Sequence, residues 1–166
     1  MKTGRFLGII ICLILCMGPV TAVAQSKQSK KQEKENAIKK LVKSGNYTID
    51  VTIANPQRGK SIMLTSPYSL EVRNDSVISH LPFYGRAYSI PYGGGNGLIF
   101  KAPLDEYNAV YNDKKKRVQV KMKAKTSEDT FEFNFDIYYN GSSRINVNMQ
   151  NRESISYSGE IDLLPL

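Results

Sequence analysis

Cysteine is confined to two positions, Cys12 and Cys16, and the remainder of the sequence has none. There is one histidine, His80, and no tryptophan. A domain without cysteine has no disulfides and must hold together by burial. A zinc site built from Cys and His is poorly supplied. No GxxxxGK[ST] phosphate loop occurs: the run Gly93-Gly94-Gly95-Asn96-Gly97 lacks the lysine and opens no helix. No nucleophile-elbow motif accompanies His80, although a Ser-His-Asp arrangement using it stays open. A lone histidine beside Leu81 reads first as a structural, hydrogen-bonded residue. A carboxylate-only calcium site around Asp105, Glu106 and Asp113 also stays open, with a spacing unlike an EF-hand loop. No cofactor is expected. The longest apolar run, twelve residues from Phe6 to Met17, falls short of the roughly 20 that span a membrane.

That run has a different use. Lys2 and Arg5 precede it, Gly18 and Pro19 break it, and Ala22-Val23-Ala24 ends it as an A-x-A cleavage signal. Residues 1–24 therefore read as a secretory signal peptide cleaved before Gln25. The protein is then exported, to the periplasm or beyond, with a mature chain of 142 residues that suits one domain. A lipoprotein signal at Cys16 and an uncleaved anchor are the alternatives; Leu15 before that cysteine sits where a small residue is normally required.

The formal charge of +8 suggests a nucleic-acid binder until it is located. Residues 25–44 carry seven lysines and two glutamates, whereas residues 45–166 carry fourteen basic and thirteen acidic side chains. The body is nearly neutral, so no nucleic-acid groove is indicated. The basic stretch reads as a solvated linker and a short helix, with Ala37, Ile38, Leu41 and Val42 as a narrow apolar stripe and Gly45 as its stop. A sharper alternative is a basic leader that touches an anionic surface.

From residue 45 onward the period is two. Tyr47, Ile49, Val51 and Ile53 form one apolar face, as do Val118, Val120, Met122 and Ala124, then Phe131, Phe133, Phe135, Ile137 and Tyr139. Ile145, Val147 and Met149, then Ile155, Tyr157, Ile161 and Leu163, complete the pattern. Earlier strands are expected over 61–66, 68–73, 76–81, 97–102 and 106–112. The fold class is mainly β: a single antiparallel β-sandwich, or a curled, partly closed barrel, of about nine or ten strands with a short N-terminal helix. Parity sets register. A two-residue loop at Ser127-Glu128 puts Met122 opposite Phe133 and Lys123 opposite Glu132. A three-residue loop at Asn140-Gly141-Ser142 puts Ile137 opposite Ile145 and Phe135 opposite Val147.

One segment departs from the pattern. Residues 82–96 form a fifteen-residue connection with Phe83, Tyr84, Arg86, Tyr88 and Tyr92 between Pro82 and the glycine run. Long connections in compact domains are often functional. One reading is a plug that packs its aromatics over the core. The other is a ligand-binding wall, with Tyr84, Tyr88 and Tyr92 for stacking, Arg86 for an anionic group and His80 nearby. The unknown ligand would be a glycan or another envelope component.

Ser66-Pro67-Tyr68, the stretch from Leu81 to Tyr88, Gly97 to Phe100, and ISYSGEI at the end give the sequence a resemblance to a family of small exported proteins of Bacteroidetes known as domain of unknown function 4251. The similarity extends over roughly 42–164. It implies one exported domain and brings no activity or catalytic residue. Asp75-Ser76-Val77 also fits a short O-glycosylation pattern of such envelope proteins, with Ser76 as the acceptor. Two function classes follow: a non-catalytic exported domain that binds a ligand or partner, and a small hydrolase or lyase using carboxylates, tyrosines, Arg86 or His80. N-terminal sequencing of the native protein should find Gln25 first; a lipid-modified Cys16 would overturn the signal reading.

Overall fold

The computed structural model describes residues 21–89 and 97–164, with side chains from residue 28 onward. Most of the expected signal segment therefore lies outside the described residues. One helix, α1 (Thr21–Ser44), precedes eight strands: β1 (Asn46–Pro56), β2 (Ile62–Arg73), β3 (Ser76–Leu81), β4 (Leu98–Asn112), β5 (Arg117–Lys125), β6 (Thr130–Tyr138), β7 (Ser142–Met149) and β8 (Ile155–Ile161). Each strand pairs antiparallel with the next, and β1 pairs with β8, so the sheet is a closed up-and-down barrel. The chain divides into two compact units, Met1–Glu33 and Lys34–Leu166. Among the described residues no helix is long and apolar enough to cross a membrane.

The expected sandwich, and the count of nine or ten strands, are corrected by this topology. The period-two pattern gives ten segments, and two pairs of them fuse. Pro67 reads as a break, yet β2 continues through it. A proline has no N–H to give a ladder, and Pro67 sits where none is demanded: β2 pairs with β3 only from Ser69 onward, and with β1 it skips from Tyr68 to Met63. The segments over 97–102 and 106–112 join through a bulge at Asp105, between Leu104 and Glu106. The bulge reverses parity, so Leu98 and Ala102 are buried before it while Tyr107 and Ala109 face inward after it. Closure removes the edge strands of an open sheet.

Interior positions are apolar and tightly covered. Tyr47, Ile49, Leu70, Val77, Phe131, Phe133, Ile145 and Tyr157 are among the fully buried side chains, as small eight-stranded barrels require. The outward positions of β5–β7 carry Gln119, Lys121, Lys123, Glu132, Asn134, Arg144 and Asn146. That is the reverse of a membrane-spanning barrel, whose lipid face is apolar.

The β5–β6 register is as parity requires: Met122 faces Phe133 and Lys123 faces Glu132. The β6–β7 register differs from expectation by two residues, with Phe135 opposite Ile145 and Phe133 opposite Val147. The reason is local. Tyr139 donates its N–H to the Lys116 carbonyl at 2.9 Å instead of continuing the β6–β7 ladder. The loop becomes Tyr139-Asn140-Gly141, and Gly141 still supplies the positive φ, at 98°. A shift of two keeps every side chain on its face. Two further expectations fail at strand ends. Ile53 is half-exposed because a bulge at Thr52 turns Ala54 inward in its place, and Leu163 lies exposed beyond β8.

The apolar stripe of α1 sits in its last turns, where Ile38 and Val42 are buried and Ala37 and Leu41 half-buried. The helix is longer than that stripe, so the residues read as a linker are largely helical too. Gly45 ends it with φ 69° and an N–H to the Val42 carbonyl at 3.2 Å.

Closure depends on one bare backbone. Gly159 pairs with Val51 beside the Thr52 bulge, and a Cβ placed on it would lie 1.9 Å from the Asp50 carbonyl oxygen. Gly159→Ala should therefore destabilise the domain by about 1–3 kcal/mol or more, as a forced backbone shift does. A urea titration checks this; an unchanged midpoint would show that the seam does not need the glycine.

Candidate functional site

The two ends of a filled barrel are where it can meet other molecules. At one end lie the β1–β2, β3–β4, β5–β6 and β7–β8 connections, and the aromatic loop is the β3–β4 connection. Its first half, residues 82–89, is pinned along its length to the β7–β8 connection. Ala87 and Arg152 form a β-bridge. Tyr88 N–H donates to the Asn151 carbonyl at 2.7 Å, and Glu153 N–H donates to the Arg86 carbonyl at 2.9 Å. Arg86 N–H donates to Glu153 Oε2 at 3.2 Å. The loop root is fixed from inside: Tyr157 Oη donates to the Pro82 carbonyl at 2.7 Å. Burial, and secondarily the neighbouring Tyr84, push the Tyr157 phenol far up, so it stays a donor.

Beneath this segment lies a set of buried charges. Arg152 is 5% exposed; its Nη2 donates to Glu128 Oε2 at 3.2 Å, and its guanidinium lies 5.9 Å from the centre of the Phe83 ring. Asp129, also buried, accepts N–H bonds from Thr130, Gln150 and Asn151. Glu153 meets Arg58 Nε at 3.5 Å. The carboxylates Asp129 and Glu153 are thus engaged by backbone amides and Arg58.

The structure separates the expected site residues. Tyr84 is 37% exposed and Tyr88 69%, and Arg86 is exposed although its backbone is anchored. These three share one short pinned segment. Tyr92 lies outside the described residues. His80 is exposed on the outer face of β3, its ring tilted over Tyr68 at 5.4 Å. Ser76 stands at the β2–β3 turn, towards the other end of the barrel, and its hydroxyl donates to Asp75 Oδ1 at 3.2 Å. Sequence reasoning missed Arg152, Glu153, Asp129 and Glu128. The pair Arg152-Glu153 interrupts a polar connection between two alternating strands, and that was the available signal.

The family of domain of unknown function (DUF4251) matches residues 29–161. The chain belongs to the DUF4251 family. A crystal structure of a DUF4251 family protein from Bacteroides eggerthii shares the fold, with a TM-score of 0.59 at 14% identity, covering 83% of this chain and 91% of that one. No curated protein matches the chain.

The opposite end of this DUF4251 domain is held by ion pairs. Lys39 Nζ on α1 lies 2.7 Å from Asp113 Oδ1 and 3.0 Å from Glu35 Oε1, and 4.7 Å from the centre of the Tyr139 ring. Tyr139 Oη donates to Asp113 at 2.8 Å, and Lys116 Nζ reaches Glu35 at 3.3 Å. These contacts clamp the helix end to the β4–β5 and β6–β7 turns. An open hollow of about 520 Å³ beside them is lined by Lys39, Lys40, Lys43, Tyr111 and Asp113. Asp113 is therefore occupied by Lys39 and Tyr139. Among the described residues no three His, Cys, Asp or Glu side chains converge on a metal position, so the calcium alternative at Asp105, Glu106 and Asp113 has no assembled ligand set.

The clamp sets a pH dependence. Lys39, then the Tyr139 hydroxyl, hold the Asp113 carboxyl below the usual range. For Glu35, burial works upward but Lys39 and Lys116 outweigh it, and the net shift is also down. A depressed carboxylate contributes stability above its unfolded pKa and loses it as pH falls through the folded value. Hydrogen-exchange protection of residues 34–44, taken relative to the intrinsic rate at each pH, should fall as pH drops below the ordinary carboxylate range of about 4. Asp113→Asn should remove much of that acid response; an unaltered profile in the variant would sink the assignment.

Proposed function

We propose that this DUF4251 domain is an exported, non-catalytic binding protein of the bacterial envelope, and that its ligand surface is the pinned segment bearing Tyr84, Arg86 and Tyr88. The observation that carries the reading is Tyr88, a large aromatic side chain 69% exposed on a backbone hydrogen-bonded to the β7–β8 connection. An exposed ring on a fixed backbone contributes little to folding and loses little conformational freedom on binding. A neighbouring exposed guanidinium suits an anionic or hydroxyl-rich ligand, and tyrosine faces suit a sugar ring. Export is supported by the signal features of residues 1–24. The alternative of a small hydrolase or lyase has less support, because Asp129 and Glu153 beside the loop are engaged by backbone amides and Arg58.

A glycan and metabolite screen on the mature domain, followed by Tyr88→Ala and Arg86→Ala, tests the reading. Melting temperatures should stay within a degree or two of the parent, since exposed substitutions cost under about 0.5 kcal/mol. Affinity should fall by roughly thirtyfold, the consequence of losing about 2 kcal/mol at a binding anchor. Large losses of stability in both variants, with no ligand-dependent shift in the parent, would make the segment a plug.

A further inference from the structure

The barrel wall is not continuous. Beyond the Asp105 bulge, the first half of β4 pairs with β3 but has no ladder with β5, whose pairing with β4 stops at Leu104 and Ala124. The wall there is closed by side chains: Phe100 stacks across the gap on Phe131 at 4.3 Å. A cleft of about 240 Å³ opens over this seam, lined by Gly97, Ile99, Phe100, Lys101, Ser127 and Glu128 among others. That volume takes a single ring-sized molecule.

A buried cation, Arg152, is not itself a lining residue but touches two that are, Glu128 and Gly97. Arg152 Nη2 is paired with Glu128, a cleft residue, but Nη1 is buried with no hydrogen-bond partner among the described residues. Nη1 lies behind Gly97, 3.7 Å from where a Cβ on that residue would stand. The Phe83 ring near the guanidinium offers a π face and no in-plane acceptor. An unsatisfied buried guanidinium N–H carries a full desolvation cost, so such a group calls for an acceptor. Lys101 at the cleft adds a second cation to Arg152, and Glu128 is the carboxylate among the lining residues.

We infer that the seam between β4 and the β5–β6 turn is a binding site for a small carboxylate on a ring-sized body, such as an acidic sugar, with Arg152 Nη1 donating to the carboxylate and Lys101 at the rim. Phe100 and Ile99 offer the ring an apolar flank. This site is separate from the Tyr84–Tyr88 face and does not depend on it.

The test is titration of the mature domain by calorimetry and by amide chemical shifts, with glucuronate, glucose and inorganic phosphate as probes. Glucuronate should bind, with shifts centred on residues 97–101 and 126–128, and glucose and phosphate should bind at least tenfold more weakly. Arg152→Gln should weaken glucuronate at least tenfold. Because a buried pair is broken in that variant, Lys101→Glu serves as a second one: it is exposed, should fold normally, and should weaken glucuronate severalfold. Tyr88→Ala should leave glucuronate binding at this seam unchanged, so that failure here and failure at the tyrosine face are told apart. No glucuronate binding by the parent, equal binding of glucose or phosphate, or full retention of affinity in folded Lys101→Glu would each overturn the assignment.

Discussion

Everything in this barrel follows from the way β1 meets β8. Eight strands can close only if the register accumulated around the sheet brings the last strand back to the first. Here that happens where the Thr52 bulge shifts both of β1's pairings, and where Gly159 lets the Asp50 carbonyl approach backbone to backbone. The bulge makes β1 bend and changes which of its residues look inward, so Val51 and Ala54 both reach the core. With the ring shut, the apolar face of every strand points at the same interior. Phe131 and Phe133, packed with Phe100, fill space that an open sheet would leave to a second layer.

A shut and filled barrel leaves its ends and its seams for everything else, and the two ends are built on different physics. At the helix end the contacts are ionic and largely exposed: Lys39, Asp113, Glu35 and Lys116 around the Tyr139 ring. Such pairs are individually weak and respond to pH and salt. At the loop end the contacts are backbone hydrogen bonds with buried carboxylates beneath them. Those fix a backbone more tightly than a lysine can. At the loop end, residues 86–89 are held by their backbone, a fixed frame of the kind the proposed face of Tyr84, Arg86 and Tyr88 requires.

Most of the strand pattern was legible because alternation is a direct imprint of a half-buried sheet. The β5–β6 register could be derived from parity and a turn alone, and Met122 does face Phe133. What was not legible came from interactions that no local pattern encodes. Pro67 looks like a strand break until the absence of a β3 partner opposite it is known. Asp105 and Thr52 are bulges only because neighbouring strands arrive out of step. Tyr139 leaves the β6–β7 ladder because Lys116, from a different hairpin, offers it a carbonyl. At the candidate site the exposed aromatics were visible as a compositional anomaly, whereas Arg152 was an ordinary arginine in a polar turn until burial singled it out.

Arg152 links the aromatic loop to the β5–β6 turn. A buried arginine is tolerated where its partners are fixed in advance, and here they are fixed from three directions: Glu128 on the β5–β6 turn, the Phe83 ring on the aromatic loop, and its own bridge to Ala87. The same residue therefore locks the loop that presents Tyr88 and stands behind the seam left by the Asp105 bulge. If its only role were to lock the loop, one guanidinium nitrogen paired with Glu128 and a backbone bridge would be enough, and an apolar residue could fill the remaining volume without a desolvation cost. The second nitrogen, buried and without an acceptor among the described residues, is the part of the side chain that locking does not explain. It lies behind Gly97, beside a stretch of β4 that has no ladder with β5.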